Sequence, residues 1–184
     1  MNTKDKKKWI TVPVIAFMLL WALPSTAQQI AVKTNVLSDL GLVPNIGAEL
    51  TVGEKTSLEF GLTGVIADPW GLDFDLTMGS FQYRYWIPQR ALTQLFVGAG
   101  IKAGSYRYSN SSTLFEGDFA AAELVGGWAW PIAKRWNLEV SYGFGLVMRH
   151  QYEIEHEAAA TVSPSMKYDI ATTTLGVSFV YIIK

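Results

Sequence analysis

Trp136-Asn137-Leu138-Glu139-Val140-Ser141-Tyr142-Gly143-Phe144-Gly145-Leu146-Val147-Met148 is the stretch that decides how the rest of the chain reads. Every second residue from Trp136 onward is large and apolar, whereas Asn137, Glu139, Ser141, Gly143 and Gly145 are polar or nearly without a side chain. Side chains alternate across a strand, so the segment has one greasy face and one wet or empty face. The pattern recurs about eight times behind an export signal, which predicts an all-β fold: an eight-stranded antiparallel up-and-down transmembrane β-barrel with a polar, side-chain-filled lumen.

The front of the chain reads as a signal peptide over residues 1–27. Lys4, Lys6, Lys7 and Lys8 form a basic start, Trp9 to Leu23 is an apolar run of 15 residues, and Ser25-Thr26-Ala27 supplies small residues before a mature start at Gln28. The run falls short of the ~20 residues that a membrane helix needs, and Pro13 interrupts it. The expected mature part, 28–184, is one domain. Without the four lysines and Asp5 of the signal, 11 basic and 15 acidic residues remain, a net charge of −4. That balance gives nucleic acid no basic footprint. The absence of cysteine removes disulfides, thiolate metal sites and a lipidated mature terminus. No apolar run after the signal approaches helix-spanning length, so a bilayer would be crossed by strands.

Strands are expected at 30–40, 45–53, 56–66, 76–87, 94–106, 119–131, 136–149 and 169–183. Connections two, four and six are tight (Gly53-Glu54-Lys55, Pro88 to Ala91, Ala133-Lys134-Arg135). Connections three, five and seven are long (Ala67 to Asp75, Tyr108 to Asp118, His150 to Tyr168). Short turns on one side and long loops on the other suit an outer-membrane barrel, although connection one, Gly41 to Pro44, is short on the long-loop side. Aromatic girdles are expected from Tyr85, Trp130, Trp136 and Tyr181 below and from Trp70, Phe74, Tyr106, Tyr108 and Tyr168 above.

The chemistry falls on the inward face. Lys33, Glu49, Glu59, Arg84, Lys102, Glu123, Glu139 and Arg149 are predicted to form a lumen charge network, four acids against four bases, interleaved with glycines that make room for the long side chains. An eight-stranded barrel is only wide enough to be filled by side chains. Unpaired charges inside it would cost several kcal/mol each. Arg84 is expected to pair with one or two of Glu49, Glu59 and Glu123.

Enzyme chemistry has few footholds. The four glutamates are better explained as structural ion pairs than as acid–base groups. Of the two histidines, His150 has Glu153 or Ser105 within reach on paper, and His156 lies in Glu153-Ile154-Glu155-His156-Glu157, which reads as a solvated acidic loop before it reads as a cation site. Tyr83-Arg84-Tyr85-Trp86 places its arginine inside and its tyrosines outside, so it is no base-stacking box. Gly98-Ala99-Gly100 sits within a strand and is no phosphate loop. No cofactor is expected.

Four motifs carry a resemblance: Lys33-Thr34-Asn35-Val36-Leu37, Pro44-Asn45-Ile46-Gly47-Ala48-Glu49, Ser57-Leu58-Glu59 and Tyr83-Arg84-Tyr85-Trp86. With them the chain resembles a family of small outer-membrane barrels of unassigned function in Gram-negative anaerobes, often encoded beside fimbrial subunit genes. The resemblance implies a surface role, in fimbria assembly or attachment through the outer loops, and no catalytic residues. The ending, Tyr181-Ile182-Ile183-Lys184, departs from the terminal aromatic residue of many such barrels. The expected protein is thus a non-enzymatic monomer in the cell outer membrane, surrounded by its lipid, with a fimbrial or other surface protein as partner. The competing expectations are an outer-leaflet lipid-modifying enzyme and a soluble periplasmic ligand-binding barrel.

Overall fold

A computed structural model describes residues 29–65, 74–87, 90–110, 113–155 and 165–183. The expected signal segment, Trp70, and His156 and Glu157 of the acidic stretch lie outside the described residues. Eight antiparallel strands close into a barrel in chain order: β1 (Ile30–Asn35), β2 (Asn45–Thr51), β3 (Thr56–Val65), β4 (Phe74–Trp86), β5 (Gln94–Asn110), β6 (Thr113–Ala133), β7 (Trp136–Glu155) and β8 (Ser165–Ile182). β8 closes the wall by pairing with β1 from Ala31↔Ile182 to Asn35↔Ser178.

The strands lean. Following residue partners around the wall from Lys33 through Gly47, Gly61, Ser80, Lys102, Ala121 and Val147 ends at Asp169, whereas Lys33 itself pairs with Val180. The chain positions from Asp169 to Val180, less one for a bulge in β8, are the stagger that tilts the strands of a closed barrel by ~35–45°. The tilt lets side chains from well-separated strands meet at one level of the lumen.

Three departures from the expected strands have physical causes. The first strand ends at Asn35 instead of 40, because the Asn35 side chain caps a short helix, α1 (Val36–Leu40), by accepting from Leu37 N–H at 3.2 Å. β5 and β6 run on as a hairpin through Tyr108↔Phe115 to Asn110↔Thr113, where a loop was expected. The alternation there is inverted. Tyr106, Tyr108, Phe115 and Phe119 take the inner face, and Arg107, Glu116 and Asp118 the outer. The third is the bulge: β8 pairs Thr174 with Gly143 and Thr172 with Phe144, leaving Thr173 over. A bulge shifts the side-chain period by one, so the outward set changes from Leu175, Val177 and Phe179 to Met166, Tyr168 and Ile170.

Outside and inside are the reverse of a water-soluble protein. Ile46, Leu62 and Phe144 are 62, 66 and 51% exposed, while Glu49 and Arg84 are each 1% exposed. Tyr85, Trp130, Trp136 and Tyr168 stand on the outer wall as expected. Phe74, Tyr106 and Tyr108 do not: they share the face of Lys102 and Gly104, half-buried at the inner wall.

Candidate functional site

The lumen is built in three levels. At the end where β4 and β5 are joined it is stoppered by apolar side chains: Trp86, Phe96, Leu92, Ala91, Val125, Ala129, Val180 and Ala31. The Trp86 and Phe96 rings lie 4.9 Å apart. Leu92 comes from the β4–β5 connection and tucks beneath the barrel with a φ of 64°, a left-handed conformation that costs a leucine about 1–2 kcal/mol. Full burial of its side chain, worth about 1.5–3 kcal/mol, offsets that. Asn137 Nδ2 donates to the Leu92 carbonyl at 2.6 Å and fixes the loop to β7.

Above the stopper lies the charge network. Arg84 Nη1 meets Glu139 at 3.0 Å and Glu49 at 3.3 Å, and its Nη2 meets Glu59. Lys33 Nζ reaches Glu59 at 2.6 Å, Glu139 at 2.9 Å and Glu49 at 3.6 Å. Three carboxylates therefore share two cations. Ser57 Oγ takes part of the surplus by donating to Glu49 Oε1 at 2.5 Å, while accepting from Trp86 Nε1–H at 2.8 Å. Glycines make the room: a Cβ at Gly47 would sit 2.9 Å from Lys33 Cγ, and one at Gly98 only 3.3 Å from Arg84 Cγ.

A second cluster hangs on β8. Lys102 Nζ donates to the Thr173 carbonyl and to Thr174 Oγ1, both at 2.6 Å, and lies 3.4 Å from Glu123. The bulge presents both of those acceptors to the lysine. Thr174 Oγ1 in turn donates to Glu123 Oε2 at 2.8 Å. Gln82 joins the clusters, its Oε1 accepting from Arg84 and its Nε2 donating to Glu123 at 2.8 Å. These contacts fix which way the amide points.

Seven of the eight residues expected in the network thus meet in the lumen. Arg149 does not. It lies ten residues up β7 from Glu139, about 33 Å along the strand at ~3.3 Å per residue. There it is half-exposed and pairs with Asp169. Of the three candidate partners of Arg84, Glu49 and Glu59 pair with it, whereas Glu123 is linked to it through Gln82. Sequence reading missed Ser57 and Trp86, which sit in short motifs beside charged residues, and Phe96, which lies in the uncharged stretch Gln94 to Gly98.

Above the network is a recess of about 260 Å³, floored by Lys33, Arg84 and Glu139 and walled by Asn35, Ser80 and Thr173. At ~30 Å³ per water it holds several waters or one small polar molecule. A polar lock secures its rim. Asn45 Oδ1 accepts from Asn35 N–H at 2.7 Å, Asn45 Nδ2 donates to Asp39 at 2.9 Å, and Thr34 Oγ1 donates to Asp39 at 2.6 Å.

No catalytic constellation assembles among the described residues that sequence singled out. Ser105, Asp118 and His150 lie level on β5, β6 and β7, facing outward. The aspartate stands between the other two, so Ser105 and His150 are two strand spacings apart, about 9.6 Å. A nucleophile and its base need ~3 Å. Among the described residues no group of three or more His, Cys, Asp or Glu is placed to hold a metal ion.

The four motifs quoted above all converge here. Lys33, Asn35, Asn45, Gly47, Glu49, Ser57, Glu59, Arg84 and Trp86 build the lock, the network and the top of the stopper. No curated protein and no solved structure matches the chain. One family does, described as "Protein of unknown function (DUF3575)", over residues 13–183. With a match over nearly its whole length, the chain belongs to the DUF3575 family.

Proposed function

We propose that this protein is a non-enzymatic outer-membrane barrel, a monomer with a surface role that its mouth-side loops and wall carry out. The observation that carries the reading is the inversion of the wall. Large apolar side chains cover the outside of the barrel, while a charge network fills the inside. In water so large an apolar surface would drive aggregation, whereas in hydrocarbon it is the solvated face. Above this belt the outer face of β4, β5 and β6 turns polar, with Asp75, Arg107, Glu116 and Asp118, as it should where strands leave the bilayer for water.

The stoppered lumen favours a binding or structural role over transport. A part in fimbria assembly or attachment rests on the family resemblance alone. The lipid-modifying alternative finds no support in the spacing of Ser105 and His150. A soluble carrier would want an apolar lumen, and this one is charged.

Fractionation tests the reading. The protein should start at Gln28, stay with outer membranes through a carbonate wash, and migrate differently on a gel before and after boiling. Release into the wash, or recovery of an uncleaved precursor in the inner membrane, would overturn it.

A further inference from the structure

The wall of the barrel is uneven. β1 and β2 are 6 and 7 residues long, whereas β6, β7 and β8 have 21, 20 and 18. β1 stops at Asn35, opposite Ser178, so β8 outruns its neighbour by the whole stretch from Val177 back to Ser165. The Asn35 side chain continues the lost ladder for one more step, its Oδ1 accepting from Val177 N–H at 3.2 Å and its Nδ2 donating to the Leu175 carbonyl at 3.1 Å. α1 packs against β8 next. Beyond it, among the described residues, nothing pairs with the β1 side of β8 from Ser165 to Thr172. A strand edge is a row of backbone donors and acceptors ready for another strand. This one contains no proline, and its outward side chains Met166, Tyr168 and Ile170 are 68, 58 and 81% exposed.

We propose that the edge of β8 from Ser165 to Thr172 takes up an extended segment of a partner polypeptide as an added strand, antiparallel to β8 and continuing the line of β1. Backbone bonds would supply much of the affinity, as in other cases of strand addition. The side chains set the partner's chemistry. Tyr168 and Ile170 call for apolar residues at alternate positions on the outward face. On the other face Asp169 is already held by Arg149, and Lys167 calls for an acidic residue. A second copy of this chain does not fit. A twofold axis along the membrane normal gives the tilted β8 strands of two barrels opposite slants, so they would cross instead of running side by side as a ladder needs. The inference uses the barrel geometry for the edge and the surface reading for the partner's access to it.

The test separates those two parts. In intact cells an Ile170→Cys variant should react with a maleimide that cannot cross membranes; no reaction would remove the surface reading and the proposal with it. A photocrosslinking benzoyl-phenylalanine is then placed in turn at positions 168, 170 and 172, with position 83 on the apolar belt across the barrel as control, and the adducts are sequenced. Strand addition requires one contiguous partner segment whose crosslinked residue moves by two, in the opposite chain direction, for each step of two along β8. That segment, made as a peptide and added to the purified barrel, should slow hydrogen exchange at least tenfold at the alternate amides of 166–172 that point to the open edge, while those bonded to β7 stay unchanged. Adducts scattered over many proteins, adducts within the chain itself, contacts that do not shift in register, or unchanged exchange would each overturn the proposal.

Discussion

The guanidinium carbon of Arg84 lies 4.4 Å from the centre of the Phe96 ring, so the charge network rests directly on the apolar stopper. The same ring packs against Trp86, and Trp86 in turn donates to Ser57 in the network above. The two levels are therefore one packed unit. A desolvated cation over an aromatic face is worth up to about 2 kcal/mol. Phe96→Leu is expected to lower the urea midpoint of the barrel in lipid vesicles clearly, by about 2–3 kcal/mol once lost ring packing is included. Phe60→Leu, on the outer wall against Phe81, should change it far less.

Arg84→Ala should cost about 3–5 kcal/mol, because Glu49, Glu59 and Glu139 are left buried around a missing cation. Arg90→Ala, in the exposed turn, is the control and should be near neutral. Combining Arg84→Met with Glu139→Met should lose less than the sum of the two single changes. Strict additivity in the urea midpoints would show that the pair is not coupled.

Three carboxylates on two cations make the network lopsided, and the two signs should respond differently. Lys33→Met removes a scarce charge and is expected to cost about 3–5 kcal/mol. Glu49→Gln removes the surplus one and leaves an oxygen to accept from Ser57, so it should cost under about 1 kcal/mol or stabilise. Equal losses for the two in equilibrium unfolding would contradict the charge count.

The faces can be separated on one strand. Phe144→Arg places a charge on the apolar belt and should weaken folding into bilayers by about 2–4 kcal/mol if it lies near the midplane. Ser141→Ala, buried on the inner face, should be mild. Similar tolerance at both positions would mean the belt does not face lipid.

Reconstituted in a planar bilayer, the protein should give little steady conductance, since the stopper and the network both cross the bore. Large, long-lived channels would require the lumen to be rebuilt.

The belt was legible because the wall of this barrel follows one rule along its middle strands: apolar out, small or polar in. Phe144, Leu124 and Ile101 obey it, and the closed eight-stranded barrel follows from their spacing. Legibility failed where that rule stops. In Tyr106-Arg107-Tyr108 the period of two persists, but the aromatics turn inward and the charge outward, so a strand was read as a loop and its tyrosines as a girdle. β1 failed differently. Its alternation runs on through Val36, but a capping asparagine bends the chain, and an asparagine has no signature that separates a cap from a strand residue. Inward charges were found from parity alone. Parity carries no height, so Arg149 joined the set though it stands at the mouth. Nor could parity show that a bulge at Thr173 turns a carbonyl toward Lys102.

Leu92 gives the barrel a closed floor, and Asn35 and Asn45 give it a braced rim. Among the described residues the vessel is thus closed at its floor, a cup and not a tube. Whatever small molecule settles beside Lys102 must leave by the way it came, so occupancy of the recess can only track what lies outside the mouth. A compartment on the far side of the floor would learn of it through the wall or not at all.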